Sequence, residues 1–131
     1  MHTRGNGRVV VTGPPRAGKS TWVNRHARAG DLRFDWDDVA ATLGYVNTPL
    51  TAMRKGRLPW PLKQLVLAMR ETFVDTVAQL APSQLGECRV FLIVTDRATA
   101  EVLADAMHAD LMVINERHEV VHIRHAEVLL D

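Results

Sequence analysis

The stretch VVVTGPPRAGKSTWVNRHARAG, Val9–Gly30, decides how this chain is read. Its three valines close a short apolar run, Arg8–Thr12, ended by glycine and proline, which is the pattern of a buried strand. From Lys19 onward Trp22, Val23, His26 and Ala27 share one face of a helix, and Gly30 stands where a C-terminal cap belongs, so the spacing predicts a helix over Lys19–Ala29. Between them, Gly13-Pro14-Pro15-Arg16-Ala17-Gly18-Lys19-Ser20 satisfies G-x-x-x-x-G-K-[ST] at every fixed position. In that pattern the amides of the loop and of the helix N-terminus point at phosphate oxygens. The two glycines let the backbone close around an anion with no Cβ in the way. Lys19 supplies a point charge for the β- and γ-phosphates, and Ser20 an oxygen for Mg²⁺. Pro14 and Pro15 have no N–H, so the donors begin at Arg16. The expected nucleotide-binding set is Gly13, Arg16, Ala17, Gly18, Lys19, Ser20 and Thr21, for ATP or GTP.

Outward from this stretch, strand and helix patterns alternate. Leu32–Asp35 reads as a strand and Asp37–Leu43 as a short helix stopped by Gly44. Asn47–Pro61, with Pro49, Pro59 and Pro61 among basic residues, reads as a loop. Leu62–Ala81 is expected to be a long helix with an apolar face of Leu65, Val66, Met69, Phe73, Val77 and Leu80, followed by a connector at Pro82–Glu87. Arg89–Thr95 reads as a buried strand, Ala98–His108 as a helix and Leu111–Ile114 as a strand. Glu119–Leu130 allows strand or helix. Such alternation predicts a three-layer α/β/α fold with a small, mostly parallel sheet of four to five strands, and a ligand beyond the carboxyl ends of the strands.

The 131 residues suit a single domain, 1–131, with residues 1–7 as a flexible N-terminal tail. No apolar run reaches the length of a membrane span, and the polar N-terminus carries no signal-peptide pattern, so no membrane partner is expected. A lone cysteine, Cys88, suits a reducing, cytoplasmic compartment. The net charge is +1, unevenly spread: residues 1–30 hold six basic side chains and no acid, which suits a polyanionic ligand as well as an ordinary charged surface. Nothing in the sequence sets the oligomeric state.

The glycine-lysine-serine loop resembles the P-loop NTPases, and the next segment narrows the likeness. RFDWDDVAATLG, Arg33–Gly44, looks like the strand-two motif of the kinase-like group, closest to bacteriophage-type polynucleotide kinases and small phage and bacterial P-loop ATPases. That resemblance implies an ATP-dependent kinase or ATPase using Mg²⁺, with a nucleic-acid end, a nucleoside or another small-molecule hydroxyl as acceptor. The alternative is a nucleotide-binding switch module that phosphorylates nothing. The resemblance places at Asp37 the carboxylate that accepts the proton of the attacking hydroxyl, with Asp35 as the neighbour able to replace it. Both aspartates also suit a helix N-terminus, where they would cap and favour the dipole. Asp96, after the third strand, is a metal candidate by the same resemblance and a cap by its position.

Three departures from the resembled kinases stand out. Glycine is common there at the position of Arg16. An arginine that grips the acceptor phosphate stands three residues after the base, where this chain has Ala40; Arg54, Lys55 or Arg57 could replace it. A lid with paired arginines is usual, and here only Arg117 and Arg124 are available, against a reading of both as surface charge. His118-Glu119-Val120-Val121-His122 matches H-E-x-x-H, but its valines favour a strand, which would hold the histidines too far apart for one zinc. Trp22 is expected to pack its helix onto the sheet, whereas Trp36 and Trp60 could stack a base or simply pack.

Overall fold

A computed structural model gives the structure of the chain and describes residues 7–44 and 58–126. Arg54, Lys55, Arg57, most of the expected loop, the first six residues and the last five lie outside the described residues. The strands are β1 (Arg8–Thr12), β2 (Leu32–Asp35), β3 (Val90–Val94), β4 (Asp110–Ile114) and β5 (Val120–Arg124). The helices are α1 (Lys19–His26), α2 (Trp36–Leu43), α3 (Trp60–Gln79), the single turn α4 (Pro82–Leu85) and α5 (Arg97–Met107). One five-stranded sheet runs in the order β2-β3-β1-β4-β5. β1 pairs in parallel with β3 and β4, β2 pairs in parallel with β3, and β5 returns antiparallel along β4.

Alternation along the strands splits the core into two layers. Val10, Leu92 and Leu111 point to the face covered by α3 and α5, with Val66, Val74, Val77, Ala100, Ala104 and Met107. Val11, Phe91 and Ile93 point to the other face, where Val23 of α1 closes a smaller cluster. The expected three layers are therefore present, with helices on both sides of the sheet. Trp22 packs as expected: it stacks on His26 at 4.0 Å between ring centroids and meets Phe91 edge-on at 6.2 Å.

Several elements differ from the sequence pattern. α1 ends at His26 rather than Ala29, and the His26 ring takes the Trp22 carbonyl at 2.7 Å. α3 begins two residues early, at Trp60, because Pro61 fits the first helical turn, whose N–H groups need no partner within the helix. Its buried face is Leu62, Val66, Val74 and Val77, while Leu65 and Met69 of the expected face are 53% and 49% exposed. Among the described residues, the buried cluster takes only a narrow stripe of this helix, less than its apolar content allows. Val120–Arg124 of the tail forms a strand, residues 127–131 lying outside the described residues, and Gly7, expected in the flexible segment, already accepts from the Val90 amide at 2.8 Å.

Two charged residues fix the edges of the sheet away from the glycine-rich loop. Arg8 is fully buried at the start of β1, where burial pushes its guanidinium pKa down. Its Nη2 donates to the Val77 and Leu80 carbonyls, at the C-terminal end of α3, where a helix favours a cation. Asp31 accepts from the amides of Arg28 (2.8 Å) and Arg89 (2.9 Å) and from Arg89 Nε (3.2 Å), joining the start of β2 to the start of β3. Burial raises the Asp31 pKa, but these donors outweigh it and hold the carboxyl below its ordinary value. The stabilisation it gives is therefore present above the unfolded value and is lost as pH falls through the folded one. Asp31→Ala should cost about 2 kcal/mol at neutral pH in urea unfolding. The gap between variant and parent should close as pH falls below roughly 4.

Candidate functional site

The connection β1–α1–β2 leaves the sheet on one face, and β3–α5–β4 leaves it on the other, crossing over β1. The chain thus diverges beyond the carboxyl ends of β1 and β3, the place where open α/β sheets bind ligands. The loop Gly13–Ser20 lies there.

Its backbone is shaped by two glycines with different tasks. A Cβ on Gly13 would stand 2.3 Å from the Ile114 carbonyl oxygen and 3.2 Å from the Ala17 Cβ, so the loop leaves β1 in contact with the end of β4. Gly18 has φ 86°, the left-handed region, and a Cβ there would also meet the His118 ring at 3.0 Å. Arg16 is left-handed too, at φ 67°, a conformation that glycine adopts freely and that bears a cost of about 1 kcal/mol for an arginine. Left-handed residues stand on either side of the buried Ala17, whose amide donates to the Pro14 carbonyl at 3.2 Å.

Several of the candidate side chains gather around this loop. Lys19 is buried, 8% exposed, and its Nζ donates to the carbonyls of Gly13 (2.9 Å) and Pro14 (2.8 Å). Ser20 Oγ donates to Asp35 Oδ2 at 2.5 Å. Asp35 ends β2, is buried, and caps α2 by accepting the Asp37 amide at 3.1 Å. The same carboxylate thus caps α2, as the sequence allowed, and meets the loop. Asp37 and Asp38 lie in the first turn of α2, where the dipole favours them, and Asp38 pairs with Arg33. Thr21 is exposed, one residue further along α1.

At the end of β3, the Thr95 carbonyl accepts from Thr12 Oγ1 at 3.3 Å, which ties the two central strands together above the switch point. Asp96 caps α5: Oδ2 accepts from the Thr99 hydroxyl (2.6 Å) and amide (2.8 Å), and these bonds hold its carboxyl below the usual range.

The two arginines considered for a lid separate. β4 and β5 are joined by a tight turn, Asn115–Glu119, in which Asn115 Oδ1 accepts from the amides of Arg117 (2.9 Å) and Glu119 (3.0 Å). Arg117 sits in this turn, one residue from the contact between His118 and the loop. Arg124 pairs in register with Leu111 near the start of β4, and its guanidinium bonds Asp105 at 2.9 Å, so the structure places it at the end of the sheet away from the loop. The H-E-x-x-H residues form no helix: His118 is in the turn and His122 on β5, opposite Val113. Among the described residues no group of three histidine, cysteine or acidic side chains could hold a metal.

Two contacts here were not foreseen from the sequence. His118 Nδ1 lies 2.9 Å from the Ala17 carbonyl, a contact across 101 residues that no local pattern announces. Arg70 of α3 holds its guanidinium 5.3 Å from the centroid of the Trp36 ring, beside Asp35. Burial lowers its pKa against the pull of Glu71, and among the described residues no carboxylate pairs with it. Trp36 packs its other side against the core, so the packing reading holds for it, while Trp60 is 72% exposed at the start of α3. Ala40, where the resembled kinases carry arginine, is fully buried between α2 and α3, and an arginine there would not fit.

No family model matches the chain, and no curated protein matches it. Among solved structures, a chain from the structure of the Pnkp1/Rnl/Hen1 RNA repair complex superposes on it with a TM-score of 0.50 and 15% identity over 88% of this chain. The likeness is one of fold. This chain spans about a third of the length of that one, 34%. No described helix is long and apolar enough to cross a membrane.

The glycine geometry has a direct test. Gly13→Ala should destabilise the fold by about 2–3 kcal/mol in denaturant unfolding, since it drives a methyl group into backbone that cannot give way. Gly18→Ala should cost about 1–2 kcal/mol through its left-handed backbone.

Proposed function

We propose that this chain is an ATP-dependent, kinase-like phosphotransferase that moves the γ-phosphate of ATP to a hydroxyl acceptor, a polynucleotide 5′-hydroxyl or a nucleoside. The observation that carries the reading is the 2.5 Å hydrogen bond from Ser20 to Asp35, at the mouth of the glycine-lysine loop. It spends the serine's proton on a carboxylate and leaves the oxygen's lone pairs for a cation. The fold shared with a chain of an RNA repair complex supports a nucleic-acid acceptor.

In this reading Gly13 and Arg16–Thr21 cradle the polyphosphate. The Lys19 ammonium, held on two loop carbonyls, exchanges them for phosphate oxygens. Ser20 and Asp35 would hold Mg²⁺, with Asp96 as a further candidate from the β3 side; the ion neutralises charge on the phosphates. Asp37 accepts the acceptor's proton as its oxygen bonds to phosphorus and the bond to the ADP oxygen breaks. Arg70, fixed on Trp36, supplies the acceptor-side cation that Ala40 cannot. Arg117, in the turn beside His118, would meet charge on the transferred group.

A second reading is a nucleotide-binding ATPase or switch that acts on a partner without phosphorylating it. The tight Asn115–Glu119 turn favours it, because no lid separates β4 from β5. Without one, water is poorly excluded and transfer slows toward hydrolysis.

Label transfer from γ-labelled ATP to 5′-hydroxyl DNA, 5′-hydroxyl RNA, nucleosides and water separates the two. The kinase reading expects labelled polynucleotide or nucleoside, whereas label found only in inorganic phosphate supports the switch. Lys19→Ala should abolish MgATP binding in calorimetry. Asp37→Asn should slow transfer by about 100-fold or more while leaving MgATP affinity nearly unchanged. Transfer unaffected by Asp37→Asn would remove that residue from the base role.

A further inference from the structure

The contact between His118 and Ala17 joins the turn after β4 to the rear of the glycine-rich loop. A carbonyl oxygen can only accept, so the histidine Nδ1 carries the proton in this bond. The peptide between Ala17 and Gly18 is planar and trans, so its N–H points opposite to its C=O. Whatever holds the Ala17 carbonyl outward therefore aims the Gly18 amide inward, to the concave side of the loop. The imidazole can come this close because residue 18 has no side chain: a Cβ there would stand 3.0 Å from Nδ1. The turn is built to present the ring. Asn115 accepts the His118 amide on its carbonyl at 3.0 Å, its side chain accepts the two neighbouring amides, and His118 itself is left-handed at φ 64°.

We propose that His118 is a positioning residue for the phosphate loop: its bond to the Ala17 carbonyl orients the Gly18 amide as a donor to a bound polyphosphate. This rests on the phosphate-loop reading given above. It gives the β4–β5 turn, in the place of a lid, a part in holding nucleotide from behind the loop. The ring touches neither the phosphates nor the acceptor.

The test uses the full chain with two substitutions that both tolerate the left-handed backbone. His118→Gly removes the donor, and His118→Asn keeps an amide donor at a similar reach. Calorimetric titration with MgATP and with tripolyphosphate is run at a temperature where all three proteins are fully folded by their melting curves. His118→Gly should weaken both ligands on the order of tenfold, and His118→Asn should recover most of that loss. Binding by His118→Gly equal to the parent's, or His118→Asn as weak as His118→Gly, overturns the proposal while the phosphate-loop reading stands. A parent that binds neither MgATP nor tripolyphosphate overturns both.

Discussion

The carbonyl oxygen of Ile114 lies where a side chain on residue 13 would begin. That one close approach governs the upper end of the sheet. β1 lies between β3 and β4, and the chain can turn off it into the loop only by running against the end of β4. A glycine allows it, and with it the loop is pressed between the ends of the central strands instead of extending into solvent. The buried Ala17 and the Lys19 ammonium folded back onto Gly13 and Pro14 follow from the same compression.

Rigidity on the sheet side allows weaker interactions to finish the loop. Strand pairing fixes where β2, β3 and β4 end, so Asp35, Thr95 and the Asn115 turn arrive around the loop without further ordering cost. Each then makes one short-range contact: Asp35 with Ser20, Thr95 with Thr12, and His118 of the turn with Ala17. Net hydrogen bonds of this kind are worth only about 1 kcal/mol apiece. Their value here is orientation: together they fix where the loop and the side chains beside it stand.

The opposite end of the sheet is built differently. The buried Arg8 and the half-buried Asp31 satisfy backbone groups, and Arg124 is occupied by Asp105. Charge there serves to tie helices to strands. The two ends of one small domain thus use the same residue types for separate purposes, decided by which strand termini they adjoin.

By itself the sequence determined the strand–loop–helix unit that starts at Arg8, though not where its helix ends, the alternating α/β class and β2 at Leu32–Asp35, because these depend on local patterns: a β-branched run, glycines at fixed spacing and a helix start. Tertiary structure alone decided the rest. The apolar residues of α3 could not reveal that Leu65 and Met69 face outward, since periodicity gives a face but not how wide a stripe the neighbours cover. The sequence put Asp37 first and Asp35 as its stand-in, and only β2 set beside the loop showed that Asp35 is the one that meets Ser20. Arg117 and Arg124 looked alike until the antiparallel return of β5 sent one toward the loop and the other to the far end. His118 in a zinc-like motif and Arg70 inside a long helix gained their partners, Ala17 and Trp36, from strand order and helix placement, which couple residues too far apart in the chain for any local pattern to join.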